Sequence, residues 1–380
     1  MNQVHQINLF EPPSKTPYGY PVSDTDEVRQ WLREGAVCAL GVSGGKDSHA
    51  MAIRVAQYLD EVGHTGPRLL IHSDLGVVEW KDSLPACERL ALRIGWDLVV
   101  LRRSAGDMMD RWEARWESSV RRYATMECVK LILPWSTPGM RFCTSELKAD
   151  LICRELTKRY PGKRILSGVG VRHDESANRA KMPVTAVQPK LSARGCTGMN
   201  WNPIITWPTA AVYDYLEEKQ EPLHEAYRVW GSTRVSCTFC IMSSGNDLHA
   251  ASRCPDNAEI YRRMVQLEID STFGLQGSRW LGDVAPALLD AVQLSGLAVA
   301  KRRAQERVQI EAHIPQHLLY KKGWPTAVPT RQEADLLASI RRQISSLLGF
   351  EVNLTCADEI VAHYEGLMAA RAEKGLALAA

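Results

Sequence analysis

The sequence feature that most constrains the fold is a glycine turn between an apolar run and an amphipathic segment. Residues 43–48 read Ser-Gly-Gly-Lys-Asp-Ser, after the apolar run at 36–42 and before apolar side chains at helical spacing over 52–59. This pattern predicts a strand, a tight turn and a helix. Paired glycines let backbone N–H groups approach an anion, the helix N-terminus adds partial positive charge, and Lys46 adds a full charge. The segment is therefore a predicted phosphate site, although a solvated polar turn has a similar composition.

The loop differs from a Walker A motif, because Asp47 follows the lysine where that motif has Ser or Thr. Ser-Gly-Gly-Lys-Asp-Ser resembles the PP-loop of ATP pyrophosphatases, enzymes that split ATP between the α and β phosphates and adenylate an acceptor. The resemblance implies that ATP and Mg²⁺ bind here and that Lys46 and Asp47 are catalytic. The ATP-binding residues that it implies in the loop are Ser43, Gly44, Gly45, Lys46, Asp47 and Ser48.

The order of apolar runs predicts the fold class. Runs at residues 36–42, 68–72, 97–101 and 164–171 alternate with longer helical patterns. This alternation predicts an α/β fold with a doubly wound parallel sheet, and the resemblance implies an adenine nucleotide alpha hydrolase-like one. Ligands of such sheets bind at the carboxyl ends of the strands, where Ser43, Asp74 and Arg172 fall.

Composition divides the chain into three predicted regions. Residues 1–30 are rich in proline and polar residues, which favours an extended N-terminal arm. Residues 31–235 are the predicted PP-loop nucleotide-binding domain, and residues 236–380 are a predicted cysteine-containing, mostly helical C-terminal region.

Overall composition is that of a globular protein, with 45% hydrophobic and 24% charged residues among 380. The net charge of +2 gives no electrostatic argument for nucleic-acid binding by itself. No apolar run is long enough to cross a bilayer and the first residues lack a signal-peptide core, so we expect a cytoplasmic protein without membrane contact. The ten cysteines are then expected to be reduced thiols, metal ligands or catalytic groups.

Asp74 lies in His72-Ser73-Asp74-Leu75-Gly76, which ends the second predicted strand. The segment resembles one that lines the nucleotide pocket in PP-loop proteins of the sulfonucleotide-reductase type. By that resemblance Asp74 accepts a hydrogen bond from the adenosine or helps to hold Mg²⁺. A strand-end aspartate that caps a turn is the alternative.

The segment 168–179 resembles the Gly-x-Arg-x-x-Glu/Gln-Ser-x-x-Arg element of the phosphoadenosine phosphosulfate reductase family. Arg172 and Arg179 offer two guanidinium groups for phosphate or sulfate oxygens. Surface pairing of these arginines with Asp174 and Glu175 is the alternative. The resemblance implies a catalytic Arg172 and the ATP-binding residues Gly170, Arg172, Glu175, Ser176 and Arg179.

The cysteines form a third constellation. Cys237 and Cys240 have Cys-x-x-Cys spacing, which suits an iron–sulfur cluster, zinc or a redox pair. Cys143 matches part of a Cys-Cys-x-x-x-Lys element in cluster-binding family members, although Thr144 replaces the second cysteine. The resemblance favours a 4Fe-4S cluster over zinc, held by Cys143, Cys237, Cys240 and Cys254, with Cys196 in reserve.

The C-terminus narrows the expected activity. Family members that reduce sulfonucleotides carry a Glu-Cys-Gly-x-His element, whereas this chain has only Cys356 without the flanking glycine or histidine. The chain instead looks like the ATP pyrophosphatases of DNA phosphorothioation, or of tRNA thiolation. A sulfonucleotide reductase and a non-catalytic nucleotide-binding regulator are the alternatives.

This resemblance also implies partners. We expect DNA or another nucleic acid as acceptor, a sulfur-donor protein such as a cysteine desulfurase, other modification-system proteins, and a possible homodimer. Basic segments at 111–123 and 301–303 could contact phosphates, although a helix that buries its tryptophans explains the first one better.

Overall fold

The sheet brings the predicted strands together in a doubly wound order. The computed structural model describes residues 19–375, and within them the strands lie in the order β3-β2-β1-β4-β6-β5. β1 is parallel to β2 and β4, β4 is parallel to β6, and β5 pairs antiparallel with β6. The strands are β1 (Val37–Gly41), β2 (Arg68–Asp74), β3 (Asp97–Arg102), β4 (Arg164–Gly168), β5 (Thr185–Val187) and β6 (Thr197–Trp201).

Helices cover most of the remaining described chain, including the C-terminal part, as predicted. In chain order the α-helices are α1 (Asp26–Arg33), α2 (Lys46–Glu61), α3 (Ser83–Ile94), α4 (Met108–Ala124), α5 (Phe142–Thr144), α6 (Asp150–Arg159), α7 (Thr209–Glu218), α8 (Glu225–Arg228), α9 (Gly245–Ser252), α10 (Ala258–Ser271), α11 (Ala291–Ala312), α12 (Arg331–Leu348) and α13 (Ala357–Glu373).

The described chain forms two compact units, each made of separate stretches. The first unit contains residues 19–74, 81–101 and 148–229, and the second contains 75–80, 102–147 and 230–375. The predicted domains were instead continuous, with a boundary after residue 235. The predicted arm at 1–30 lies mostly outside the described residues, and its last part is helical because α1 begins at Asp26 after the N-cap Thr25.

β1 is the central strand of the first unit, and its sequence shows why. Cys38 and Leu40 contribute to one apolar cluster, whereas Val37 and Ala39 contribute to another. Successive side chains of a strand point to opposite faces, so both faces of β1 are covered. A continuous apolar run is typical of such a doubly covered parallel strand.

The second unit has its own core. Its buried apolar cluster includes Tyr123 of α4, Ile340 and Ile344 of α12, and Tyr364 of α13. The Arg341 guanidinium is buried beside this cluster and donates to the carbonyls of Tyr123 and Ala124, both at 2.9 Å. Within residues 19–375 no helix is both long and apolar enough to span a bilayer.

We expect Leu40→Ala to lower the free energy of unfolding by about 2–5 kcal/mol, because it leaves a cavity under the sheet. Leu92→Ala is the matched control, since Leu92 is 84% exposed on α3 and its truncation should change that free energy by about 0.5 kcal/mol or less. Urea denaturation of both variants measures the difference. Equal losses would contradict the assignment of β1 as the core strand.

Candidate functional site

The glycine turn joins β1 to α2 as the sequence predicts. Gly44 has a φ of +75°, which favours glycine, and Gly45 is the N-cap of α2. A Cβ atom at Gly44 would lie 3.0 Å from the Ser83 carbonyl oxygen and 3.1 Å from His224 Cδ2. Glycine is therefore required here by both backbone conformation and space.

Hydrogen bonds within the turn fix its backbone. The Ser48 hydroxyl donates to the Gly45 carbonyl at 2.8 Å and accepts from the Ser43 amide at 3.3 Å. At the start of α2 the Lys46 amide donates to the Tyr227 hydroxyl at 3.3 Å. A side-chain oxygen thus already satisfies one of the amides that a helix N-terminus offers to an anion.

Lys46 is held between a carboxylate and two aromatic rings. Its side chain is only 6% exposed, and Nζ lies 3.1 Å from Asp47 Oδ2. The Tyr213 and Tyr227 ring centroids are 5.7 and 5.4 Å from Nζ, within the range of cation–π attraction. The ammonium is therefore positioned at the loop and not solvated on the surface.

Arg172 lies in the connection that follows β4, the strand next to β1, and binds the same Asp47 carboxylate. It follows β4 by four residues, is 2% exposed, and its Nε lies 2.7 Å from Asp47 Oδ1. Its NH1 donates to Thr209 Oγ1 at 3.0 Å and to the Trp207 carbonyl at 3.3 Å, and it also pairs with Asp174. The predicted pairing with Asp174 is therefore present, but the Arg172 guanidinium is buried and also binds Asp47.

Gly170 lets the connection that follows β4 approach the connection that follows β1. A Cβ atom there would lie 2.8 Å from the backbone C and O of Asp47 and 3.0 Å from the Ser48 amide nitrogen. The connections that follow β1 and β4 leave neighbouring strands. From β1 the chain continues toward β2 and one edge of the sheet, and from β4 it continues toward β5 and β6 at the other edge. Ligands of doubly wound sheets bind at this type of position.

The other predicted nucleotide residues lie in the same unit. Asp74 is the last residue of β2. Glu175 Oε2 accepts from the Arg172 amide at 2.7 Å and pairs with Arg179, as the alternative interpretation predicted for that arginine. The Ser176 hydroxyl accepts from the Arg179 amide at 3.2 Å.

A neutral histidine lies against the turn. Burial lowers the pKa of His224 to about 4, although the nearby Asp82 carboxylate opposes this shift. Its Nδ1 accepts from the Ala226 amide at 3.0 Å, so the proton is on Nε2, which is 3.4 Å from the Ser83 hydroxyl. His224 therefore supports the Gly44 backbone without adding a positive charge near neutral pH.

The cysteines predicted as metal ligands all belong to the second unit. Cys237 and Cys240 are half-buried, and the Met242 amide donates to Cys240 Sγ at 3.4 Å. In the described part of the chain, no three His, Cys, Asp or Glu side chains are arranged to hold a metal ion. The four-cysteine ligand set stays a prediction. Cys196 is buried in the first unit, where its thiol donates to the Tyr160 carbonyl at 3.2 Å.

Part of each basic segment is engaged within the protein. In α4, Arg111 forms two hydrogen bonds with Glu146, Arg115 donates to the Leu133 carbonyl, and Trp112 is buried. Lys301 pairs with Asp283. The interpretation of 111–123 as a helix that buries its tryptophans thus agrees with the contacts of Trp112.

Sequence reasoning missed several residues of the site. Tyr213 and Thr209 lie on α7, in a helix pattern without any signal for a role at the loop. Tyr227 and His224 lie shortly before the Cys-x-x-Cys pair, in a segment whose sequence does not indicate a contact with the loop.

Comparison with known proteins identifies the family. Residues 37–242, more than half of the chain, match the phosphoadenosine phosphosulfate reductase domain. The chain therefore belongs to the phosphoadenosine phosphosulfate reductase domain family, which confirms the predicted family. No curated protein sequence is significantly similar to it.

Solved structures give distant similarities. The phosphate complex of phosphoadenylyl-sulfate reductase from Candida auris is 16% identical with a TM-score of 0.35, covering 55% of this chain and 87% of that one. Candida glabrata FMN adenylyltransferase with FMN and AMPCPP is 16% identical with a TM-score of 0.36, covering 56% and 58%. The U34-tRNA thiolase NcsA from Methanococcus maripaludis, with its 4Fe-4S cluster, is 14% identical with a TM-score of 0.34, covering 73% and 79%.

We expect Gly170→Ala to lower the free energy of unfolding by about 1–3 kcal/mol and to weaken Mg·ATP binding, because the new methyl group collides with the Asp47 backbone. Gly41→Ala is the control, since its Cβ would make only an ordinary contact at 3.6 Å. Urea denaturation and nucleotide titration measure both effects. If Gly170→Ala binds ATP as tightly as the wild type, the close approach of Gly170 to the Asp47 backbone does not shape the site.

Proposed function

We propose that the protein is an ATP pyrophosphatase that adenylates an acceptor. The observation that carries this proposal is the Asp47 carboxylate, which is bound by the Lys46 ammonium at 3.1 Å and by Arg172 at 2.7 Å beside the N-terminus of α2. Two buried cations beside a helix N-terminus suit a polyphosphate better than a single phosphate group.

Binding of ATP would exchange some of the present contacts of the loop for contacts with phosphate oxygens. The polyphosphate would replace the Tyr227 hydroxyl at the Lys46 amide and would take over the Lys46 ammonium from Asp47. Arg172 would remain anchored through Thr209 and the Trp207 carbonyl, which fixes its guanidinium plane. Magnesium in nucleotide sites needs only one or two carboxylates beside phosphate oxygens, and Asp74 would supply one of them.

The first chemical step is attack of an acceptor oxygen on the α-phosphorus. A new oxygen–phosphorus bond forms, the bond from the α-phosphorus to the bridging oxygen breaks, and pyrophosphate leaves with both electrons. Negative charge grows on the departing group, where Lys46 and the loop amides would stabilise it. Bound Mg²⁺ would neutralise further charge on the phosphate oxygens.

The second step would replace the activated oxygen by sulfur. A sulfur nucleophile at the oxidation level of hydrosulfide attacks the activated atom, and AMP leaves with the former acceptor oxygen, so no net oxidation or reduction occurs. We favour a nucleic acid, most of all DNA, as acceptor. A cysteine desulfurase-type partner would supply the sulfur as a persulfide, which a cellular dithiol would reduce to the donor thiol and hydrosulfide while it is itself oxidised to a disulfide. The resemblance to DNA phosphorothioation ATP pyrophosphatases and the missing reductase element motivate this choice.

The cysteines support a separate proposal, that the second unit binds a 4Fe-4S cluster. The Met242 amide donates to Cys240 Sγ, but the described side chains do not form a ligand set as they stand. No step above depends on a cluster. Anaerobic iron and sulfide analysis tests the proposal, with Cys237→Ser expected to lose iron and the core variant Cys38→Ser expected to keep it. Iron-free preparations, or zinc instead of iron, would contradict it.

Wild-type protein should release AMP and pyrophosphate from Mg·ATP, and Lys46→Ala should slow this by about a hundredfold or more, because a preorganised charge is lost. Lys158→Ala, on the exposed side of α6, should keep the wild-type rate. A coupled pyrophosphate assay with nucleotide chromatography measures both. Release of ADP and phosphate by the wild type would contradict the loop assignment.

The acceptor is tested by following sulfur in cells with and without the gene. Sulfur in DNA that depends on Lys46 is the expected result, and binding to DNA should weaken as salt is raised, because each phosphate contact releases counterions. Sulfur in tRNA would move the proposal to tRNA thiolation. Sulfite release from phosphoadenosine phosphosulfate that requires Cys356 would overturn it in favour of a reductase.

A further inference from the structure

Two buried histidines lie beneath the nucleotide loop, with a cysteine thiol beside them. His49 lies in the first turn of α2, His72 in β2 and Cys87 in α3, and each is at most 3% exposed. The steps proposed above do not use any of the three. Such groups are costly to bury unless their polar atoms are satisfied.

His72 holds the residue that precedes the loop. Its Nδ1 lies 3.0 Å from the Val42 carbonyl oxygen, and because a carbonyl can only accept, Nδ1 carries the proton. Cys87 Sγ lies 3.8 Å from the same nitrogen. The imidazole thus ties the residue before Ser43 to the neighbouring strand and, through Cys87, to α3.

His49 holds the helix that follows the loop. Its amide donates to the Gly45 carbonyl at 3.1 Å, and its Nδ1 lies 2.9 Å from Glu221 Oε1. The other carboxylate oxygen of Glu221 lies 3.1 Å from Arg93 NH1. The first turn of α2 is therefore anchored to a carboxylate that a second cation also binds.

Helix α3 connects these contacts to the glycine turn. The Ser83 carbonyl oxygen limits the space at Gly44, and Cys87 lies one helical turn further along the same helix. A displacement of the histidines would therefore be transmitted to the backbone of Gly44. Cys87 is fully buried, so its thiol is assigned to this packing and not to nucleophilic chemistry.

The chemistry of His49 indicates more than packing. The His49 ring is paired with the Glu221 carboxylate through Nδ1 and also interacts with the Cys87 thiol. Burial by itself lowers the pKa of His49, but the Cys87 thiol and the Glu221 carboxylate together raise it above 6.5. The charged and titratable groups around it are Cys87 and Arg93 from α3, His72 from β2, Glu221 after α7, and His224 before α8.

We propose that His49 and His72 are positioning residues for the nucleotide loop, with His72 fixing the carbonyl before it and the His49–Glu221 ion pair fixing the helix turn after it. This inference rests on the proposed function of residues 43–48. The ion pair is complete below the ordinary pKa of histidine and is lost as pH rises through the raised pKa of folded His49. Loop geometry and ATP affinity should change together in that alkaline range.

The NMR signal of the Gly45 amide tests this proposal in the absence of nucleotide. Gly44 and Gly45 form the single Gly-Gly pair of the sequence, so glycine labelling with ¹³C and ¹⁵N assigns the Gly45 amide signal uniquely in the full-length protein. In the wild type this signal should titrate with a midpoint above pH 6.5. Glu221→Gln should move the midpoint down by about one pH unit or more, because the carboxylate that stabilises the imidazolium is gone. His49→Gln should abolish the titration.

His64→Gln is the matched control. His64 is also buried and its Nε2 also contacts a backbone carbonyl, that of Ala36 at 2.8 Å, but it lies after the end of α2. This variant should keep the wild-type titration of Gly45 even if it is less stable. If His49→Gln leaves the Gly45 titration unchanged, or if His64→Gln alters it equally, the proposal is overturned.

Calorimetric titration with Mg·ATP between pH 6 and 9 is the second measurement, after the titration of the Gly45 signal. Affinity should fall at the pH where Gly45 titrates, and His49→Gln should bind about fivefold or more weakly at the acidic end, as for typical coupling between sites. A Gly45 titration that depends on His49 in a protein that binds no ATP would refute the proposed function and leave the positioning role intact. ATP binding without that titration would refute the positioning role alone. Should His49→Gln fail to fold, Glu221→Gln decides through its midpoint.

Discussion

The Asp47 carboxylate, bound by Lys46 on one side and by Arg172 on the other, is the interaction on which the candidate site depends. The two cations come from connections that leave neighbouring parallel strands, so the carboxylate joins parts of the chain that are far apart in sequence. Lys46 and Arg172 are buried, and removing the partner of a buried charge costs about 3–5 kcal/mol, because that charge stays buried without compensation. The arrangement therefore constrains the backbone of both connections, and Gly170 makes their close approach possible.

The groups around this carboxylate are mostly neutral and hold the two cations in place. Aromatic rings hold the Lys46 ammonium without adding a competing anion, and His224 stays neutral because burial lowers its pKa to about 4. Arg172 is held by neutral oxygen atoms of Thr209 and Trp207 in addition to its ion pairs. A polyphosphate that reaches the loop would thus meet cations whose positions are already fixed, which lowers the entropy cost of binding.

Local signals in the sequence predicted the loop and the central strands well, because glycine spacing and continuous apolar runs have direct structural causes. The strand predicted over 164–171 ends at Gly168, since the following glycine-containing segment turns toward the loop. β6, with the sequence Thr-Gly-Met-Asn-Trp, was not predicted, because its place in the sheet comes from pairing with β4 and not from its own apolar pattern. The ring of Tyr213 beside Lys46 and the discontinuous units are tertiary features, which periodicity along the chain does not encode.

The position of phosphate cleavage distinguishes an ATP pyrophosphatase from an enzyme that releases the γ-phosphate. In AMP-PNP nitrogen replaces the bridging oxygen between the β and γ phosphates, whereas in AMPCPP carbon replaces the one between α and β. A pyrophosphatase should convert AMP-PNP to AMP and imidodiphosphate, and it should bind AMPCPP without cleaving it. If AMP-PNP resists cleavage while the γ-phosphate is released from AMPCPP, the site acts between the β and γ phosphates and the protein is not an ATP pyrophosphatase.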